Sequence, residues 1–477
     1  MSERKQAGGG AAEQADKPLV ANSLYEVRKK LHVRTITGAF TNWRWALVWV
    51  TQIIFYGTPW LVWNDRQAVL LHLTERKFYI FGWVFWPQDV FYLAILLIIA
   101  AYGLFFFTAV AGRLWCGYAC PQTVYTEIFM WIEEKIEGDH NKRRKLADAP
   151  MDGGKFAKRA AKYGAWGLLS LWTGFTFVAY FSPLDELLAS VRNFGFGGWE
   201  IFWILFYGTF TFVFAGFMRE QVCKYMCPYA RFQGVMFDPD TLVITYDEER
   251  GEPRGTRKKG VDPRTVGKGD CIDCGICVQV CPTGIDIRKG LQYECIGCAA
   301  CIDACDQVMD KMNYPRGLVR YSTENAVRKH WGAKEILAHV ARPRTLIYGG
   351  ILVAICLALL VGLATRSDLR VDIIRDRASL GQEMSDGSIE NVFRLQIMNM
   401  VEQKRTISIA VTGLEGIHIS GPNTFEMLPA ASESVNLQVR APASAAAPGS
   451  HPIMFVISVA GDESVVVEEK STFILPR

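Results

Sequence analysis

The chain has 477 residues, half of them hydrophobic, and a formal net charge of only +4. Bulk charge of that size excludes a protein held to nucleic acid by electrostatics. A mean hydropathy of +0.11 beside charged loops requires the apolar residues to be gathered into blocks.

In chain order, Met1 to about Leu19 is rich in Gly, Ala and charge and reads as a flexible tail. It lacks the apolar core of a cleavable signal peptide, and residues 1–44 as a whole are expected to form a flexible cytoplasmic segment. Five stretches are then apolar over about twenty residues, the length a helix needs to cross hydrocarbon. They are 45–63, 90–112, 163–181, 199–218 and 345–363. Trp43, Trp45, Trp60, Trp63 and Trp199 cluster at their ends, as in an interfacial belt.

Lys and Arg crowd the segment before the first stretch, the loop 113–162 and the segment 221–344, whereas the alternate loops hold few. The positive-inside rule then places the N-terminus and both basic segments in the cytoplasm and the C-terminus outside. The run Lys142, Arg143, Arg144, Lys145 is read as a solvated or headgroup-facing loop.

Of thirteen cysteines, twelve lie in the two inner segments and Cys356 lies alone in the fifth stretch, where packing explains it. Tight clusters in a long chain point to metal or redox chemistry rather than a disulfide scaffold, and thiolates that bind iron need a reducing compartment. His32, His72, His330 and His339 form no ligand spacing, so a haem has little support.

The strongest motif is Cys271-x2-Cys274-x2-Cys277-x3-Cys281-Pro282 followed by Cys295-x2-Cys298-x2-Cys301-x3-Cys305. This is the bacterial two-cluster ferredoxin pattern, with a domain expected over about 262–315. In this pattern each run lends its fourth thiol to the other cluster. One 4Fe-4S cluster is expected on Cys271, Cys274, Cys277 and Cys305, and a second on Cys281, Cys295, Cys298 and Cys301. Zinc would leave cysteines over in each run. Gly275, Gly297, Ala299 and Ala300 are small enough to let backbone N–H groups approach the sulfurs. Asp306 stands where a second Pro is usual.

A second motif is duplicated: Cys116-Gly117-Tyr118-Ala119-Cys120-Pro121 after the second stretch and Cys223-Lys224-Tyr225-Met226-Cys227-Pro228 after the fourth. Cysteines four apart are expected on one helical face, with the Pro disturbing the helix behind them. The repeat suggests a site between two halves. Four thiols there could bind a soft metal such as Cu(I), cycle between dithiol and disulfide, or simply pack at helix ends.

Residues 367–477 change character, with short alternating runs at 392–400, 406–411, 417–420, 434–439, 453–459 and 465–475 separated by turn residues. They read as a small β-sandwich. Met398 and Met400 share a strand face, which a sandwich core explains better than an external copper site.

From about Val33 to Arg477, the order of spans, C-x-Y-x-C-P motifs, ferredoxin motifs and outer β-domain resembles the cytochrome c oxidase accessory protein family (FixG or CcoG-like). The resemblance implies a multidomain membrane protein of the bacterial inner membrane. A five-helix transmembrane bundle would carry an inserted bacterial-type two-cluster ferredoxin domain and a C-terminal immunoglobulin-like β-sandwich outside. It implies a cupric reductase with two 4Fe-4S clusters and copper as substrate, supporting assembly of the cbb3-type cytochrome oxidase. Cys116, Cys120, Cys223 and Cys227 become the copper-reducing or copper-holding thiols. The expected partners are the lipid bilayer, a cytoplasmic electron donor, the cbb3-type oxidase or copper chaperones, and a second copy in a homodimer. Two other readings stand beside it: a quinone-linked respiratory electron-transfer subunit, and an assembly scaffold whose clusters are structural.

Overall fold

The structure is a computed structural model that describes residues 31–375 and 381–476. The expected flexible tail at 1–19 lies outside the described residues. Helix α1 spans Ala39–Gly57, so the end of the expected flexible segment is helical instead. Its start is fixed by Asp303. Backbone N–H groups of Phe40 and Thr41 donate to that carboxylate at 3.2 and 2.8 Å, and the Thr41 hydroxyl adds a third bond at 2.8 Å. A carboxylate satisfies the open N–H groups of a helix start and complements its dipole.

Helix α2 is Val90–Ala111, and α3 (Leu114–Tyr118) follows after a sharp turn. Then come α4 (Pro121–Glu137), α5 (His140–Asp148), α6 (Gly153–Val178) and α7 (Leu184–Asn193). Helix α8 (Gly198–Thr211) continues as a π-helical stretch, Phe212–Met218. A last long helix covers Pro343–Ala364.

Each of the five apolar stretches thus has a helix. Three of these, Pro87–Ala111, Gly198–Met218 and Pro343–Ala364, are long and apolar enough to cross a membrane. The other two are more polar. Asn42, Arg44 and Gln52 lie on α1, and α6 spends its first turns on Lys155, Lys158, Arg159 and Lys162. Helices α6 and α8 touch through glycines: a β-carbon on Gly208 would press on Ser170 O at 3.2 Å, and one on Gly174 would collide with the Ile204 backbone. Small residues at such crossings let helix backbones approach. Helix α2 pairs with 343–364, where the Tyr92 hydroxyl donates to Gly362 O at 2.7 Å.

Strands Val243–Tyr246 and Val319–Ser322 pair antiparallel and close the neck of the cysteine-rich insert. Beyond Pro343–Ala364 lies a two-sheet sandwich. One sheet runs His418–Ile419, Ser432–Pro442, Ser388–Asn399, Leu369–Arg375, and the other runs Thr424–Met427, Arg405–Thr412, Gly449–Val459, Asp462–Leu475. Phe393, Leu395, Ile397, Ile407, Ile409, Phe455, Ile457 and Phe473 alternate inward and form its buried core.

The loop between the first two apolar stretches carries a three-stranded sheet (Val69–His72, Lys77–Ile80, Trp83–Phe85) that hydropathy gave no sign of. Its Val84 and the following Trp86 bury Met398, Met400 and Ala430 of the sandwich. The two methionines are therefore packing residues between domains.

Candidate redox site

The two C-x-Y-x-C-P motifs are built alike. Four residues before each first cysteine the chain turns through the same unusual conformation, Gly112 at φ 55°, ψ −119° and Arg219 at φ 42°, ψ −109°. Gly112 adopts it freely, but Arg219 does so under strain. Several contacts hold it there: its backbone N–H donates to Phe214 O at 2.7 Å, its Nε to Gly216 O at 3.0 Å, and its Nη2 to Glu133 at 2.8 Å.

Cys116 then lies in α3, and Cys223 in a π-helical turn over Val222–Met226. Cys120 and Cys227 have extended backbones and immediately precede α4 and α9 (Pro228–Met236). The expected shared helical face is therefore absent. Pro121 and Pro228 start the next helix at its first position, where a missing N–H costs nothing, so each cysteine pair straddles a helix junction.

The four thiols form one group. Charge on Cys120 and Cys227 is felt at Cys116, charge on Cys227 at Cys120, and charge on Cys120, Cys116 and Cys227 at Cys223. Burial, followed by the neighbouring thiols, pushes Cys116 up to about 11 and Cys223 up to about 12. Without a metal the pair is therefore held as neutral thiols. The Cys116 thiol donates to Gln233 Oε1 at 3.6 Å, and Gln233 is fully buried.

The eight ferredoxin cysteines gather as two cradles. One cavity is lined by Cys271, Cys274, Cys277 and Cys305 with Tyr246, Ile272 and Met309. A second is lined by Cys281, Cys295, Cys298 and Cys301 with Ile244, Ile285 and Ile296, and Cys277 borders both. Left-handed residues stand on either side of the second cysteine of each run: Asp273 and Gly275 around Cys274, Gly297 and Ala299 around Cys298. Backbone N–H groups of Gly297 and Ala300 donate to Cys295 and Cys298. Four thiols in an apolar wall with aimed N–H groups suit an iron–sulfur cubane. Among the described residues no three His, Cys, Asp or Glu side chains stand as a single-ion site.

The second cradle sits directly on the C-x-Y-x-C-P turn. A β-carbon on Gly117 would lie 2.8 Å from both Gly297 O and Ile296 O and 2.9 Å from Cys298 Cα. Tyr118 is hydrogen-bonded to Tyr321, whose hydroxyl donates to Gly297 O at 2.7 Å. Cys116 and Cys223 pack into the same cluster as Cys298 and Cys301. Gly117→Val is thus expected to push the 296–298 loop off its seat. The check is the thermal midpoint of the purified protein, lowered by the roughly 1–3 kcal/mol that overpacking costs.

Comparison with known proteins points the same way. Residues 218–324 match the 4Fe-4S dicluster domain family, 93–138 match a 4Fe-4S binding domain family, and 359–476 match the IG-like fold at the C-terminus of FixG. The chain is 40% identical to nitrogen fixation protein FixG of Rhizobium meliloti over 434 residues, 84% of this chain and 83% of that one. The chain belongs to the FixG family. It is also 41% identical to protein RdxB of Cereibacter sphaeroides over 420 residues, 86% of this chain and 88% of that one. A crystal structure of a FixG-related protein from Vibrio parahaemolyticus matches 23% of this chain and 98% of its own at 23% identity and a TM-score of 0.22. As a FixG-type protein the chain is a membrane-associated iron–sulfur electron-transfer protein.

Proposed function

We propose that this FixG-type protein reduces Cu(II) to Cu(I) at its four clustered thiols and supplies it for assembly of a cbb3-type cytochrome oxidase. The observation that carries this reading is the seat of the Ile296–Cys298 loop on Gly117, which puts the four-thiol group beside the second cradle. Cys271, Cys274, Cys277 and Cys305 would hold one 4Fe-4S cluster, and Cys281, Cys295, Cys298 and Cys301 the other. A bound cubane supplies one-electron storage.

The chain's own residues set the exit: Gly117 and Tyr118 hold the cradle loop against the turn that carries Cys116. Each Cu(II) takes one electron. Cu(I) is the softer ion and stays on thiolate sulfur, with the thiol protons released to water.

All five long helices span the bilayer in this reading. The N-terminus, both cradles and the thiols face the cytoplasm, and the sandwich lies outside, where the oxidase or a copper chaperone meets it. Deleting residues beyond Ser367 is then expected to spare copper reduction and to abolish oxidase assembly.

The direct test uses purified full-length protein, reduced with dithionite, freed of excess reductant and mixed with Cu(II) beside a Cu(I) chelator. Cu(I) is expected to form as the clusters are oxidised. Formation no faster than in protein-free buffer would end the proposal. The ligand sets have their own check. Cys305→Ser is expected to leave the same residual EPR spectrum as Cys271→Ser and a different one from Cys295→Ser; the reverse pairing would overturn the assignment.

A second reading is favoured by the match of residues 93–138, which include Cys116 and Cys120, to a 4Fe-4S binding family. There the four thiols hold a third cluster. Iron analysis separates the two, with about eight atoms per chain for two cubanes and about twelve for three.

A further inference from the structure

One cavity belongs neither to the cradles nor to the four-thiol group. It measures about 410 Å³ and lies between the segment 33–37, the start of α1, helix α4 and the dicluster residues Val280, Pro282 and Ala300. That volume falls among pockets that bind small organic ligands. Val280 and Pro282 flank Cys281 in the chain, and Ala300 precedes Cys301. The wall is thus one residue away from two thiols of the second cradle.

Trp45 and Trp131 line the cavity and meet edge to face with centroids 6.4 Å apart. Trp131 is 44% exposed, and Trp43 and Trp49 are exposed on the same helix as Trp45. Amphipathic rings of this kind collect at the boundary between lipid and water. Ile36, Met130 and Val280 add apolar wall.

Two buried arginines complete it. Arg44 donates from Nη2 to Glu127 at 2.7 Å, and Arg143 from Nη2 to Val33 O at 2.6 Å. The Nε of each is buried without a partner. A buried N–H lacking an acceptor is costly, so these walls hold donors suited to ligand oxygens.

We propose that this cavity binds a lipid-soluble quinol, the electron donor to the dicluster domain. The inference rests on reading the two cradles as cluster sites. The apolar walls fit a planar ring, the arginine N–H groups meet ring oxygens, and Trp45 and Trp131 mark the side on which an isoprenoid tail enters lipid. A metal cation is disfavoured, because Arg34, Arg44 and Arg143 outnumber Glu127 and Glu134 on the walls.

Oxidation of one quinol breaks its two O–H bonds, leaves the quinone and releases two electrons and two protons. The electrons leave singly toward the dicluster domain, where clusters held by the two cradles would accept one each. Glu134, which accepts a hydrogen bond from the Thr35 hydroxyl at 2.7 Å on the solvent side, passes the protons to water.

The test uses the cluster-loaded full chain in lipid nanodiscs, with decylubiquinol as the electron-donor probe and decylubiquinone as the binding probe. Decylubiquinone is expected to quench tryptophan fluorescence saturably, and decylubiquinol to reduce the clusters as read by EPR. Met130→Trp fills the cavity from α4 and Ile36→Trp from the segment 33–37. Each is expected to weaken quinone binding at least about tenfold, while the dithionite-reduced EPR spectrum stays that of wild type. Quenching that rises linearly, as for partition into lipid, overturns the proposal. So does saturable binding untouched in whichever variant retains its EPR spectrum. If dithionite-reduced wild type reduces copper but decylubiquinol reduces no cluster, this inference fails and the copper reading stands.

Discussion

Replacing Cys116 and Cys223 together by alanine is expected to leave a protein that assembles its ferredoxin clusters and holds Cu(I) far more weakly. One thiol leaves each motif, and Cys120 and Cys227 are the pair that remains across the two halves. The eight ferredoxin cysteines are untouched, and alanine fits wherever a thiol packed beside Ile296 and Cys298. Loss of a partner that merely orients a ligand weakens metal binding about 10–100-fold. Loss of two ligands is expected to exceed that, with a matching fall in the rate of copper reduction. Competition with a Cu(I) chelator gives the affinity, and EPR of the dithionite-reduced variant shows whether the clusters remain. Wild-type affinity in the double variant would remove Cys116 and Cys223 from the copper reaction.

The second large effect lies one layer behind the thiols. Glu133 is 1% exposed and faces three cations: Arg219 at 2.8 Å, Lys162 at 3.4 Å and Arg143 at 3.6 Å. Lys162 also meets Glu137 at 2.6 Å. Breaking a buried ion pair from one side leaves an uncompensated charge and costs about 3–5 kcal/mol.

Glu133→Ala is expected to destabilise the helical domain by about that amount, seen as a lowered thermal midpoint in detergent. It is also expected to disturb Cys223. The Glu133 carboxylate is one of the contacts that hold Arg219 at φ 42°, four residues before that cysteine. Without it the strained turn can relax and carry the Val222–Met226 turn with it. Reduced Cu(I) retention in Glu133→Ala, with EPR of the ferredoxin clusters unchanged, would show this coupling. Unchanged stability would mean that the three cations find other partners.

Much of this architecture is legible in the residues themselves. Apolar runs of helical length mark the long helices, because a continuous run needs no partner to be recognised. The alternation of residues 392–400 and 453–459 marks sandwich strands for the same local reason. Leu369–Arg375 was hidden: its mixed pattern follows a helix end directly, and it becomes a strand by pairing with Ser388–Asn399. The three-stranded sheet over 69–85 was likewise hidden, since its strands are only three or four residues long. Their stability comes from burying Val84 and Trp86 against Met398 and Met400, a contact more than three hundred positions away. The shared helical face expected for Cys116 and Cys120 failed because helix periodicity was extended across a junction that Pro121 begins.

Spacing by itself divided twelve of the cysteines into one ferredoxin pattern and two C-x-Y-x-C-P repeats. A cubane's grip on consecutive thiols is local, so it leaves a fixed interval in the chain. Only the tertiary structure decided that the two repeats meet as one four-thiol group, that Gly117 is the seat of the second cradle, and that a cavity opens beside it between α1 and α4. Those are contacts between residues far apart in sequence, set by how helices pack, and no local interval records them.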